Sequence, residues 1–85
     1  MLSYEDCLAL SELTEEEIEA IAEHEHLPEL AALEFGNYLM HDEKGRIRIK
    51  CMIEEDLLAA QAKGDRAHAA KLKLALRQFC DSHHL

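Results

Sequence analysis

The groups best suited to chemistry stand together in the run Glu23-His24-Glu25-His26. Glu23 and His26 have the Glu-x-x-His spacing of carboxylate-bridged metal sites in helical bundles. On a regular helix that spacing puts both side chains on one face. With His24 beside them, we take Glu23, His24 and His26 as candidate metal ligands.

A metal site of this kind needs a second Glu-x-x-His from a facing helix. The nearest match is Asp65-x-x-His68, which has the wrong acid and spans a predicted helix cap. A histidine near the end of a helix also suits the negative end of the helix dipole without any metal. We therefore favour a solvated helix end and keep a metal-binding helical protein as the alternative.

Glu25 is out of place on its predicted helix. It follows Ile21 at i+4 and Ile18 at i+7, which puts a carboxylate on the apolar side. A perturbed acid is one interpretation. The other interpretations are fraying of the helix before Pro28 and a bond from Glu25 to the first amides of the next helix, which begins at Pro28. We favour the capping role.

The remaining metal-binding and catalytic patterns are weak or missing. Cys80, His83 and His84 stand near one end of the chain, but zinc sites usually combine two ligand pairs. There is no Gly-rich phosphate loop, no Gly-x-Ser-x-Gly and no His-Glu-x-x-His. We expect no enzymatic activity, no cofactor and no small-molecule substrate.

The three cysteines, Cys7, Cys51 and Cys80, are odd in number and widely spaced. This pattern argues against a disulfide framework and suits a reducing compartment. The first residues lack the features of a signal peptide, and no apolar run approaches the roughly 20 residues of a membrane helix. We expect a cytoplasmic protein.

The elements that position these groups are predicted to be helices. The 85 residues suffice for one domain, 1–85, and they include no valine and one threonine, so a β-protein is improbable. Ser3, Thr14, Asp42 and Asp65 are candidate N-caps, and Gly64 is a candidate C-terminal stop. The first predicted helix is short and begins at Tyr4. The other four are predicted over Glu15–Glu25, Pro28–Met40, 43–63 and 66 to Cys80 or Asp81.

The predicted fold is all-α, a compact bundle of four or five short helices. Helices 4 and 5 form an antiparallel hairpin across Gly64-Asp65. Helix 3 is expected at the centre because apolar residues lie on two of its sides, and Gly36 in it predicts a close approach by another helix. Residues 46–50 alternate like a strand, but the run is short and continues into a helical pattern.

Charge divides the chain into two halves. Residues 1–43 hold 13 acids and no Lys or Arg, whereas residues 44–85 hold nine Lys and Arg and five acids, for a net charge of -9. The two halves can attract each other within one chain, as surface pairs. Alternatively, the acidic face of one copy, or of a different protein, meets the basic face of another molecule. We favour surface pairs from helices 2 and 3 to helix 5. The candidate interaction surface comprises Lys63, Arg66, Lys73 and Arg77.

The net charge has the wrong sign for nonspecific binding to nucleic acid. Arg46, Arg48 and Lys50 lie two apart, so they fan around a helix instead of lining one face. We expect no nucleic-acid or membrane partner. The leading hypothesis is a non-enzymatic protein-interaction module, a small adaptor or regulator, with another protein or a second copy as partner.

Four runs carry a resemblance to known sequences: Leu13–Ile18, Ala22–Glu29, Gly36–Leu39 and Gly64–Ala67. Together they resemble a group of short proteobacterial all-helical proteins that have no assigned function. The resemblance covers most of the chain and implies a small stand-alone bacterial protein. It implies no activity.

Overall fold

Five α-helices joined by short turns make up the computed structural model, which describes residues 3–85. They are α1 (Tyr4–Ala9), α2 (Glu15–Glu25), α3 (Glu29–Leu39), α4 (Glu43–Lys63) and α5 (Arg66–His83). The all-α prediction is confirmed, and no strand occurs between Ser3 and Leu85. Residues 46–50 lie inside α4 as helix, so the strand alternative is wrong.

Side-chain caps begin four of the five helices. In each, an oxygen of the capping side chain accepts a hydrogen bond from the backbone N–H three residues on, which satisfies a donor the helix leaves free. The four capping residues are Ser3, Thr14, Asp42 and Asp65. The bond is returned in α1 and α2, which completes a capping box at each. α3 begins after Pro28, which makes no side-chain cap.

Two helix ends explain where the chain turns. Gly64 ends α4 in the left-handed region, at φ 76°, as the sequence predicts. α5 continues to His83, two to three residues beyond the predicted end. The His83 ring packs on Phe79 with ring centroids 4.6 Å apart, and Phe79 is fully buried. The last turn therefore still covers apolar surface, and this contact favours the longer helix.

The core joins large apolar side chains from four helices. They are Ile18 and Ile21 of α2, Leu33 of α3, Ile49 and Ile53 of α4, and Leu72 and Phe79 of α5. α4 and α5 form the most extensive contact, which confirms the predicted packing of these two helices. None of the helices described over residues 3–85 is both long and apolar enough to cross a membrane.

The central position predicted for α3 is shared with α2 and α4. α3 packs against α1, α2 and α4, while α2 and α4 pack against each other and each also packs against α3 and α5. Two of the apolar residues that suggested a central helix face solvent, since Leu30 is 49% and Tyr38 70% exposed. Their exposure follows from the placement of α5, whose main contacts are with α2 and α4.

Two glycines allow close contacts around α3. A Cβ added to Gly36 would lie 2.5 Å from Leu13 Cδ1 and 3.1 Å from Ile21 Cδ1, which confirms the predicted close approach. A Cβ on Gly45 would overlap the backbone of Leu39 and lie 2.7 Å from its carbonyl carbon. The start of α4 is therefore seated directly on the end of α3.

Candidate functional site

The three candidate metal ligands all line one cleft, but they do not share a partner. Glu23 bonds to α5 and His24 bonds to α4, while His26 is exposed at the C-cap of α2 with φ 56° and ψ 46°. The i, i+3 argument needs a helix that continues through His26, and α2 ends one residue earlier. Within residues 3–85, no group of three or more His, Cys, Asp or Glu side chains is arranged to hold a metal ion.

His24 joins α2 to α4. Its Nε2 lies 3.0 Å from Glu55 Oε2, and its Nδ1 lies 2.8 Å from Glu25 Oε2. A neutral imidazole donates from one nitrogen only, whereas the cation donates from both. The bond to Glu55 raises the pKa of His24, with a further contribution from Glu25, against the opposing effect of burial. The site therefore favours the imidazolium.

The same contacts correct the expectation for Glu25. Its carboxylate accepts from His24, and no side chain caps the first turn of α3. The capping bond is wrong because α2 stays helical through residue 25, which keeps this carboxylate beside its neighbour and away from Pro28.

His68 makes the matching connection from α5 to α2, with its Nε2 2.7 Å from Glu23 Oε1. The sequence pattern Asp65-x-x-His68 thus belongs to this junction, although as a helix cap and a bridge. Asp65 accepts from the backbone N–H of His68, which leaves the His68 ring free to reach Glu23. No spacing rule could have paired two residues 45 positions apart.

These two bridges border a cleft of about 360 Å³ between α2, α4 and α5. Asp56 lines the cleft, and its Oδ2 is buried without a hydrogen-bond partner. Burial raises the pKa of Asp56, although the nearby His24 acts in the opposite direction. The junction thus gathers carboxylate and imidazole groups from three helices, with one hydrogen-bonded bridge from α2 to α4 and one from α2 to α5.

The candidate ligands near the end of the chain also separate. Cys80 borders a groove on the outer side of α5, whereas the His83 ring packs on Phe79. Burial lowers the pKa of His83, and its Nε2 has no hydrogen-bond partner. His84 is exposed in the left-handed C-cap position of α5.

The Lys and Arg side chains of the basic half form no ion pair with the acidic half within residues 3–85. Over residues 3–85, every nitrogen–oxygen ion pair within 4.0 Å involves histidine, and none involves Lys or Arg. Lys71 borders a small cleft together with Glu16 and Glu19, but it makes no such pair. The expected surface pairs from helices 2 and 3 to Lys71, Lys73 and Arg77 of helix 5 are therefore wrong in this part of the chain, where the pair that joins α2 to α5 is Glu23 with His68.

Two arginines of α4 have structural contacts instead. Arg46 donates to the carbonyl oxygen of Met40 at 3.0 Å, which satisfies a group at the end of α3. The Arg48 guanidinium lies 5.6 Å from the centroid of the Phe35 ring. Both side chains thus help to fix α3 against α4.

The basic side chains of α5 lie elsewhere, on an open apolar groove. The groove has a volume of about 500 Å³ and is lined by Ala70, Lys73, Leu74, Leu76, Arg77 and Cys80. Leu74 is 50% exposed at this surface. The inward side of α5 carries Leu72, Ala75 and Phe79, so the groove faces away from the core.

The groove includes two of the four residues of the candidate interaction surface, Lys73 and Arg77. Arg66 lies on the same side of α5 by its spacing of seven and eleven residues from them. Lys63 does not, because it borders the cleft at the α2–α4–α5 junction. The available sequence signal was Leu74, an apolar residue set apart from the core stripe of α5.

Comparisons of the chain with protein-family models, with curated proteins and with solved structures found no match.

Proposed function

We propose that this chain is a non-enzymatic protein-interaction module, a small adaptor or regulator, which contacts its partner through the α5 groove. The observation that carries the proposal is the groove itself. Apolar side chains of α5 line it together with Lys73 and Arg77, which have no carboxylate partner among residues 3–85. An apolar centre with a charged rim is the usual anatomy of a protein interface.

The chemistry of the groove favours a protein segment of matching character. Leu74 supplies half-exposed apolar surface, whose burial is favourable at about 25 cal/mol per Å². Lys73 and Arg77 supply donors that would meet carboxylates in charge-assisted hydrogen bonds. The partner is accordingly a protein surface rich in carboxylates. The cytoplasmic location and the likeness to short proteobacterial proteins are predictions from the sequence alone.

Affinity purification with two matched variants tests this function. Leu74→Glu places a carboxylate at the centre of the groove, whereas Leu58→Glu places one on α4, where Leu58 is 65% exposed and outside the groove. We expect the partners bound by the wild-type protein to be retained by Leu58→Glu and lost by Leu74→Glu. Substitutions at the centre of an interface cost about 2 kcal/mol or more, which is about 30-fold in Kd.

Circular dichroism and thermal melting establish that both variants fold. Partners that bind the folded Leu74→Glu variant as well as they bind the wild type would show that the groove is not the contact surface. If the wild type and both variants capture neither another protein nor a second copy of the chain, the result would count against an interaction module.

A further inference from the structure

We propose that the α5 groove binds a second copy of this chain, through the exposed acidic side of α2. This inference rests on the proposed function, since it names the partner of the groove. The acidic side of α2 is defined here by Glu15, Glu16 and Glu19. All three are exposed, and their spacing keeps them within about one third of the helix circumference.

The α5 groove and the acidic side of α2 both carry charge that the chain itself leaves unmatched. The half that contains α2 has no Lys or Arg of its own, since the first basic residue is Lys44. None of the three α2 carboxylates pairs with a cation within 4.0 Å in the structure of residues 3–85. The groove carries Lys73 and Arg77 in the same unpaired state, so one molecule displays both members of a complementary pair.

The α5 groove does not match itself. A symmetric contact of α5 on α5 would bring Lys73 and Arg77 of one copy towards the same residues of the other. Like charges placed together oppose such a contact. A carboxylate-bearing helix removes this conflict, and among the described helices α2 has the largest number of acids in its first turn.

The contact is therefore heterologous, with different surfaces on the two copies. Heterologous contacts form rings where the rotation closes and open chains where it does not. We expect species larger than a dimer at high protein concentration.

Charge exchange tests the contact directly, with sedimentation velocity as the measurement. One variant, Lys73→Glu with Arg77→Glu, makes the groove acidic, and the other, Glu16→Lys with Glu19→Lys, makes the α2 side basic. Each variant alone then opposes like charges, and we expect its self-association to weaken about tenfold or more. In a mixture, the acidic groove of one variant meets the basic α2 side of the other, and the two unchanged surfaces meet as in the wild type, so the mixture should associate.

A control separates local pairing from net charge. Lys44→Glu with Lys50→Glu changes the net charge as the groove variant does, but both residues lie outside the groove. It should associate like the wild type. Association of either folded charge variant alone at wild-type strength, or failure of the mixture to associate, would overturn the inference.

The outcome also distinguishes the inference from the proposed function. A wild-type chain that stays monomeric, but captures a different protein in a manner abolished by Leu74→Glu, overturns the second-copy partner and leaves the interaction module standing. A monomeric chain with no Leu74-dependent partner contradicts both.

Discussion

Gly45→Ala is the substitution whose effect follows most directly from the packing of α3 against α4. An alanine inside a helix is ordinarily favoured over glycine by about 1 kcal/mol. Here the added Cβ would lie 2.7 Å from the Leu39 carbonyl carbon and 2.9 Å from Leu39 Cα, both backbone atoms. The start of α4 must then move, which also strains the 2.8 Å bond from the Gly45 N–H to Asp42.

Overpacking in a dense interior costs about 1–3 kcal/mol, and a backbone obstacle puts this case at the upper end. We expect Gly45→Ala to lower the free energy of unfolding by about 2–3 kcal/mol despite the better helix former. For a domain of this size that corresponds to a fall in Tm of roughly 10–20 °C. Thermal melting followed by far-ultraviolet circular dichroism, together with urea unfolding, measures both quantities.

Gly36→Ala is the matched control, because its obstacles are the side-chain ends of Leu13 and Ile21. These ends can shift by rotamer adjustment, so the loss should be smaller, at about 0–2 kcal/mol. Gly45→Ala with stability equal to or above the wild type would refute the close seating of α4 on α3. So would a larger loss at Gly36 than at Gly45.

Three further predictions concern single side chains. Because the folded-state pKa of His24 is raised, its contribution to stability is fully present below the unfolded pKa of about 6.5 and is lost as pH rises through the folded value. The difference in unfolding free energy between wild type and His24→Gln, from urea unfolding at a series of pH values, should therefore shrink with rising pH. A constant difference would contradict the bond to Glu55. Burial raises the pKa of Glu17, whose Oε2 is buried without a hydrogen-bond partner. The neutral Glu17→Gln keeps an acceptor for the Thr14 N–H and should raise the free energy of unfolding near pH 7 by about 0.5–1 kcal/mol. A lower urea midpoint would count against this. Asp42→Ala should cost about 1 kcal/mol by loss of the α4 cap, and an unchanged urea midpoint would show that the cap contributes nothing.

The helix starts could be predicted from sequence because capping is local. Thr14 and Glu17 exchange bonds over three residues, and Asp42 and Asp65 act on amides three residues away. Such patterns are contained in a short segment and survive whatever packs around it. The end of α5 was misplaced because the contact of His83 with Phe79 depends on the burial of Phe79 by other helices.

The candidate site could be predicted only in part, because its chemistry depends on which helices meet. Glu23 and His26 share a spacing, but α2 ends before His26, and Glu23 turns to His68 from α5. The charge halves were visible in the sequence, yet whether they pair inside the chain depends on distances between helices. Lys73 and Arg77 were identified by type and spacing, and the groove beside them became evident only with the fold.

Lysine footprinting tests the central claim, contact through the α5 groove, most directly. The protein is acetylated briefly, free and bound to its partner, and modification of Lys73 is compared by mass spectrometry with that of Lys44, which is also exposed but lies outside the groove. If the partner is a second copy, dilute and concentrated samples supply the two states. We expect binding to protect Lys73 from acetylation and to leave Lys44 reactive. Equal modification of Lys73 in the free and bound states would contradict it.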